Sequence, residues 1–142
     1  MNSLLFCFSV LFWMVPEKTD FGVLLMAHGG DPAWDADVQS VVEPLRDRFP
    51  VEVAFGMART STMREAVGRL EKRGVRNIAV VRMFISADSF IEDTEFILGL
   101  RDQLPKRPEM VVADHGHGGA DHCMEPPKRI DTKASFVVSR EG

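Results

Sequence analysis

The chain has no tyrosine, only two tryptophans and no excess of basic residues. Its 17 lysines and arginines are outnumbered by 21 acidic residues, which gives a formal net charge of −4. Proteins that bind nucleic acids usually carry a basic patch, and those that bind single strands add aromatic side chains on which bases stack. No stripe of basic residues with interleaved aromatics is present, so the sequence argues against a nucleic-acid partner.

Cysteine is also scarce, since only Cys7 and Cys123 are present and no Cys-x-x-Cys pair occurs. This spacing excludes a zinc ribbon, a thioredoxin-type site and the dense disulfide pattern of a small secreted protein. A Walker-type Gly-Lys-Ser/Thr motif is absent as well, so no nucleotide is expected. With 142 residues, of which 45% are hydrophobic, the chain is long enough for one domain with its own core.

The N-terminus carries an almost continuous apolar run of twelve residues, Leu4 to Val15. A membrane-spanning helix needs about 20 residues, whereas this run has the length of a signal-peptide core. No lysine or arginine precedes it, and no small-x-small cleavage site follows it. Three interpretations stay open: an uncleaved or atypical leader, a hydrophobic extension packed on the domain, and an over-long predicted start. In all three, the domain begins near Phe21.

From Phe21 onward, short apolar runs alternate with amphipathic segments of helical period. This alternation predicts an α/β fold, a doubly wound parallel sheet of about four strands flanked by helices. The predicted strands are 21–27, 50–58, 75–85 and 109–113, and the predicted helices are 31–49, 62–74 and 89–104. The domain organisation is predicted as residues 1–20 (extension or leader), 21–113 (α/β domain), 114–129 (a loop rich in His, Gly and Pro) and 130–142 (a segment that starts a further element).

Local signals refine the predicted helices. Thr62 with Glu65, and Ser89 with Glu92, have the spacing of a capping box, which predicts helix starts at these positions. Pro44 lies inside the first helical pattern and is expected to kink or divide that helix.

His28 ends the first predicted strand and is followed by Gly29 and Gly30. Ligands of doubly wound sheets bind beyond the carboxyl ends of the strands, and the two glycines allow a sharp turn and a close approach. An imidazole at this edge can bind a metal or accept a proton, whereas a purely packed histidine would be satisfied by a backbone carbonyl. The placement favours a functional His28. The same rim is predicted to hold Gly56, Met57, Arg59, Phe84, Ser86 and Asp88.

The segment after residue 113 has no periodicity and holds three of the four histidines of the chain. The donors His115, His117, His122 and Cys123 suit a divalent ion such as Co²⁺, Ni²⁺, Cu²⁺ or Zn²⁺. Intervening glycines make the loop too flexible for a closed structural site, so capture and transfer of a metal fits better than tight storage. The alternative is an exposed loop of biased composition.

Three segments resemble a known family in order and spacing: "LLMAHGGDPAWDADVQSVVEPLR", "VEVAFGMARTSTMREAVGRLEKRGVRNIAVVRMFI" and "SFIEDTEFI". They resemble the type II chelatases, the sirohydrochlorin cobaltochelatase and ferrochelatase group, from about Phe21 to about Leu104. The resemblance implies insertion of a divalent metal, Co²⁺, Fe²⁺ or Ni²⁺, into sirohydrochlorin or a related tetrapyrrole. The histidine at the end of the first strand, here His28, binds the metal or accepts a pyrrole proton.

The sequence departs from the family at one position. A second histidine usually precedes the acidic helix after the third strand, and Ser89 occupies that position here, while Glu92 and Asp93 are kept. Insertion needs a weakly held metal and a base for two pyrrole protons. Glu92 is therefore a candidate base, although a carboxylate in a first helical turn is also favoured by the helix dipole alone.

Further residues are candidates for contacts with the substrate. Arg59 and Arg82 lie near the predicted rim, and guanidinium groups suit the many carboxylates that sirohydrochlorin carries. Together with Gly29, Gly30 and Ser89 they form the predicted substrate-binding set.

Three functions compete on these residues. The first is an ATP-independent chelatase, a lyase of siroheme or cobalamin biosynthesis with His28 at the metal. The second is a non-catalytic divalent-metal-binding protein on the same fold, with the metal held by His28, the histidine-rich loop or both. The third, a histidine phosphatase, is disfavoured because Ala27 stands where that class has a phosphate-binding arginine.

The resemblance also implies a partner and a location. A short unit of this family pairs with a second copy or a second chelatase-like domain to enclose the macrocycle. The location implied is the cytoplasm, with export or membrane tethering if residues 4–15 act as a leader.

Overall fold

The computed structural model describes residues 19–86, 88–104 and 126–140. The elements follow one another as β1 (Phe21–Ala27), α1 (Pro32–Arg46), β2 (Val51–Phe55), α2 (Thr60–Lys72), β3 (Asn77–Met83), α3 (Ile91–Ile97) and β4 (Ser135–Val138). The four strands form one parallel sheet in the order β2-β1-β3-β4. The predicted α/β class and the parallel sheet are thereby confirmed.

β1 is central because both of its faces are apolar. Leu24 and Met26 lie on one face, and Leu25 and Ala27 lie on the other, and all four are buried. A strand buried on both faces suits the interior of a parallel sheet, where helices cover each side. β1 accordingly pairs with β2 along one edge and with β3 along the other.

The two faces of the sheet carry two separate hydrophobic clusters. On one face, Val38 and Val42 of α1 pack with residues of β1 and β2. On the other face, the stripe Met63, Ala66, Val67 and Leu70 of α2 packs against β1 and β3, with Ile97 of α3 in the same cluster. The larger cluster therefore lies under α2 and α3, and α1 covers a smaller area.

Both predicted capping boxes are wrong. α2 begins at Thr60, with Arg59 as its N-cap, and the Thr62 hydroxyl donates to the Arg59 carbonyl instead of capping the helix. Thr60 is fully buried, and its Oγ1 accepts a hydrogen bond from the Lys128 amide at 3.0 Å. This contact joins segments far apart in the chain, so no local pattern predicts the earlier start.

The third helix is also shorter than the sequence predicts. α3 begins after Phe90, which has a left-handed backbone (φ 56°) and makes no side-chain cap. It ends before Gly99, whose φ of 77° is the left-handed conformation that glycine adopts at low cost. The Leu100 and Arg101 amides then donate to the Glu95 carbonyl, which closes the helix end.

Pro44 does not divide α1, which is continuous from Pro32 to Arg46. The helix ends two residues after this proline, so the hydrogen bond that Pro44 cannot donate is one of the last in the helix, and its loss leaves the preceding turns intact. At its other end, the Asp31 carboxylate caps α1 by accepting from the amides of Ala33 and Trp34, each at 2.9 Å.

The fourth described strand is formed by residues 135–138, which pair with β3. The strand predicted at 109–113 lies outside the described residues, as do the apolar run 4–15 and the histidine-rich loop. Among the residues that the structure describes, no helix is both long and apolar enough to cross a membrane.

Candidate functional site

His28 lies directly after β1, at the carboxyl edge of the sheet, and is exposed. Its carbonyl accepts a hydrogen bond from the Gly56 amide at 3.1 Å, and that amide also donates to Ala27 at 2.9 Å. Its Nδ1 lies 2.8 Å from the Gly29 carbonyl. A donor at Nδ1 leaves Nε2 as the acceptor, so the exposed ring can present a lone pair to a metal or proton.

The backbone after His28 turns because of its glycines. Gly29 has a φ of 82°, a left-handed conformation that strains any other L-residue. The Gly30 amide donates to the Asp35 carboxylate at 3.0 Å, which fixes the loop against the first turn of α1. The imidazole therefore stands on a backbone that is held from both sides.

An aromatic pair that the sequence analysis did not single out lies beside this loop. The Trp34 indole covers Gly30, where an added Cβ would come within 3.4 Å of it, and is 40% exposed. It meets Phe55 edge to face, with ring centroids 6.3 Å apart. The signal was present, because Trp34 falls in the first turn of the helix that follows His-Gly-Gly.

Arg59 lies at the same edge, after β2, and is exposed. Its side chain packs on Gly56, where an added Cβ would stand 3.2 Å from the Arg59 Cβ. Since Gly56 also binds the His28 carbonyl, Arg59 and His28 are neighbours across one shared glycine. The structure thus brings together the predicted residues that follow β1 and β2.

Arg82, the second predicted arginine, has a different environment. It is 2% exposed, and its guanidinium donates to the carbonyl of Ser89 and, at 3.5 Å, to that of Ser139. Its charge lies over the ring of Phe84. Burial lowers the pKa of the Arg82 guanidinium, and the carboxylates of Asp88 and Glu95 act in the opposite direction. These contacts join β3, the following loop and the end of β4.

Ser89 and Glu92 belong to this second group. Ser89 is partly buried, and its amide donates to the Ser86 carbonyl. Glu92 is exposed on the first turn of α3, and its carboxylate pairs with Arg101 at 2.9 Å. Asp93, the next residue, is buried.

The predicted site residues therefore fall into two groups along one edge, one around His28 and Arg59 and one around Arg82, Ser89 and Glu92. Within residues 19–86, 88–104 and 126–140, no three His, Cys, Asp or Glu side chains cluster as a metal site. The predicted ligands of the loop, His115, His117, His122 and Cys123, lie outside these ranges.

A groove of about 380 Å³ lies at the other end of the sheet, among the residues that join α2 to β3 and those that precede β4. Its Glu71 carboxylate already accepts from the Thr132 hydroxyl at 2.8 Å and from the Lys133 amide at 3.0 Å. This groove is therefore a junction of the fold, at the end opposite His28.

The chain is an α/β protein with a parallel sheet, and an exposed imidazole follows its first strand at the carboxyl edge, where sheets of this kind bind their ligands. The family model of CbiX matches residues 22–104, which is more than half of the chain. The chain therefore belongs to the CbiX family of sirohydrochlorin cobaltochelatase-like proteins. No curated protein matches it significantly.

Proposed function

We propose that this protein inserts a divalent metal, cobalt or iron, into sirohydrochlorin or a related tetrapyrrole without ATP. The observation that carries the proposal is the exposed His28 at the carboxyl end of β1 in a CbiX-family domain. Its neighbours supply what a flat, acidic macrocycle needs: an exposed arginine and a partly exposed aromatic surface.

The reaction exchanges two protons for one metal ion. Two pyrrole N–H bonds break, two protons leave, and the divalent metal forms bonds to the ring nitrogens, so no oxidant or reductant is required. His28 acts at Nε2, either as a weak ligand that delivers the metal or as the acceptor of the first proton. A single neutral imidazole holds a metal loosely enough to release it to four ring nitrogens.

The second proton needs another acceptor, because Ser89 stands where the family usually has its second histidine. Glu92 follows that position by three residues, on the first turn of α3, but it is paired with Arg101. It serves as a base only when that ion pair opens, and an exposed pair of this kind costs at most about 1 kcal/mol to break. Glu92 is therefore our candidate base, and its ion pair with Arg101 must open before it can accept a proton.

Arg59 is the better candidate for binding substrate carboxylates, since its guanidinium is exposed while that of Arg82 is buried. We propose that Arg82 instead holds the loop after β3 in place through the Ser89 carbonyl. Gly29 and Gly30 permit the close approach of the macrocycle, and the Trp34 and Phe55 pair offers it an apolar contact.

A second candidate function is a non-catalytic protein that binds a divalent metal. The observation that favours it is that Ser89 stands where the family usually has its second histidine, while three of the four histidines of the chain fall within residues 114–123. In this case the histidine-rich loop supplies the remaining ligands and His28 has a secondary role.

The deciding experiment is an anaerobic absorbance assay with sirohydrochlorin and Co²⁺ or Fe²⁺. The wild type is compared with His28→Ala, with a variant lacking residues 114–123, and with Asp37→Ala, an exposed control on α1. We expect spectral conversion above the uncatalysed rate, lost by 100-fold or more, on the order of general acid–base catalysis, in His28→Ala and unchanged in Asp37→Ala.

The remaining outcomes separate the two functions. If only the loop deletion abolishes conversion, the loop delivers the metal and His28 is secondary. If no metal is inserted, and metal binding disappears with the loop, the chelatase proposal is wrong and the metal-binding function stands.

A further inference from the structure

One half of one sheet face has no helix over it among the residues that the structure describes. Along β3, Ile78, Val80 and Arg82 are at most 2% exposed, whereas Val81 and Met83, which point the other way, are 38% and 48% exposed. Val81 and Met83 pair in register with Leu25 and Ala27 of β1, so they share the face on which α1 packs. The face is therefore buried at β1 and open at β3.

The open area continues onto β4. Val137 pairs with Ala79 and is 75% exposed, whereas Phe136 and Val138 pack into the cluster on the opposite face. α1 is the one described helix on this face, and it lies over β1 and β2. Parallel sheets are normally covered on both sides, but no described element covers the apolar strip formed by Ala79, Val81, Met83 and Val137.

The described chain starts beside this strip. The Asp20 carbonyl accepts hydrogen bonds from the amides of Arg76 and Asn77, at 2.7 and 2.9 Å, and its carboxylate accepts from the Asn77 side chain at 2.9 Å. Although β1 starts at Phe21, the residue before it is thus tied to the start of β3. The first described residues, Thr19 and Asp20, therefore lie at the amino end of this strip.

We propose that the apolar segment Leu4–Val15 is the cover of this strip. The segment has twelve residues and no charged side chain, and so matches the strip in polarity. As a helix it would be about 18 Å long, close to the roughly 20 Å that seven residues of β3 span. The linker of residues 16–18 reaches up to about 10 Å, which is about twice the spacing of about 5 Å between adjacent strands.

The segment Leu4–Val15 is favoured over a second copy of the chain because it is covalently attached to the domain. A tethered segment acts at an effective concentration of about 1 mM, whereas a second copy must associate at its own, lower concentration. This inference is independent of the proposed function, because the strip lies on the face of the sheet and not at its carboxyl edge.

The native Cys7 lies inside the segment and makes the inference testable in the full-length protein. In a Cys123→Ser background, Val137→Cys and Met83→Cys each place one thiol on the strip. Val41→Cys is the matched control, since Val41 is also an apolar residue with 72% exposure. Val41 lies two helical turns after Trp34, on the flank of α1 that contacts Phe55 of β2, away from β3.

Each variant is treated with a short bismaleimide, and the linked peptides are identified by mass spectrometry after the intact mass has confirmed that residues 1–18 are retained. We expect Cys7 to link to position 137 or 83 within one chain, and several-fold less to position 41. At a protein concentration of about 10 μM, the product within one chain should exceed the product between chains on the order of 100-fold.

Three results overturn the proposal. A link between position 137 of two chains as the main product would show that the strip is an interface between copies. Equal or greater linking at position 41 would place the segment elsewhere. Flotation of the protein with phosphatidylcholine–phosphatidylglycerol vesicles, without linking to the strip, would show that the segment enters a membrane. Agreement between the Val137→Cys and Met83→Cys variants guards against misfolding of either one.

Discussion

The backbone and the side chain of His28 have separate tasks. The carbonyl accepts the Gly56 amide and helps to join β1 to β2, whereas the imidazole is exposed and contacts only the adjacent Gly29 carbonyl among the contacts described. Replacing the ring therefore removes chemistry while leaving the backbone hydrogen bond intact. Loss of activity in His28→Ala can for this reason be assigned to the imidazole once the thermal midpoint is shown to be unchanged.

The missing second histidine gives a prediction at the same scale. Ser89→His restores an imidazole at the family position, so we expect the rate of metal insertion to rise by about 100-fold, the lower end of the range for general acid–base catalysis. The measurement is the same anaerobic absorbance assay, with KM and kcat determined separately.

Ser86→His is the control, because it makes the same substitution three residues earlier in the same loop. An equal gain in both variants would show that any added imidazole at this edge suffices. No gain in Ser89→His would contradict the assignment of Ser89 to the position of the second histidine.

For single residues, the sequence predicted which side chains lie at the carboxyl edge of the sheet, but not which of them are exposed and which are buried. His28 and Arg59 were predicted at the carboxyl edge from strand ends alone, and the structure places both there. Arg82 follows the same rule, but alternation along β3 turns its side chain into the interior, where the guanidinium lies over Phe84 and donates to the Ser139 carbonyl. Arg82 is buried partly because β4 pairs with β3, and this pairing cannot be predicted from the residues next to Arg82 in the sequence.

Among the elements, α1 has the most direct link to the site, because its N-terminal cap follows His28 by three residues. Asp31→Ala removes the acceptor for the amides of Ala33 and Trp34, so we expect the free energy of unfolding to fall by about 1 kcal/mol. The measurement is equilibrium unfolding in urea, with the slope m compared between variants.

Asp37→Ala is the matched control, since it removes an exposed carboxylate from the same helix without touching the cap. A surface substitution of this kind should change stability by less than about 0.5 kcal/mol. Equal losses in the two variants would mean that negative charge on α1, and not the cap, is the source of the effect.

The limits of a strand or helix could be predicted where neighbouring residues in the sequence determine them, and not where distant contacts do. β1 was predicted at its observed limits because an apolar run followed by His-Gly-Gly is visible in the sequence. α2 was predicted to start two residues late, because the burial of Thr60 depends on Lys128. α3 was predicted to be too long, since Gly99 was not weighed as a helix end.

For the molecule as a whole, the order β2-β1-β3-β4 makes β1 and β3 interior strands and β4 an outer one within the described sheet. We expect the amides of β1 and β3 to exchange with solvent only through global unfolding, whereas half of the β4 amides face away from β3 and exchange much faster. Hydrogen exchange followed by mass spectrometry or NMR measures this difference.

Uniform protection of β4, equal to that of β1, would contradict the prediction and would indicate a further strand or a partner along its outer edge. The full-length protein and a variant beginning at Thr19 are compared, so that any contribution of residues 1–18 is seen directly.

The sequence predicted the parallel sheet because strand and helix signals alternate over short distances. It could not predict that one face is half covered, because coverage depends on where each crossover lies and not on the pattern of any one element. Likewise, the segment that supplies β4 follows a stretch without periodicity, and its pairing with β3 is a property of the whole chain.

The placement of β1 between β2 and β3 also governs how the molecule reaches its native state. The contact between β1 and β3 joins Phe21 to Asn77, with α1, β2 and α2 lying between them in the chain. Helices form within about a microsecond, whereas such distant pairings require closure of a long loop before any contact repays its entropy. Refolding should thus be slow relative to helix formation. Until β3 pairs with it, β1, an apolar strand buried on both faces in the native fold, keeps an open edge. Yield on expression should therefore improve as the rate of synthesis and the temperature are lowered.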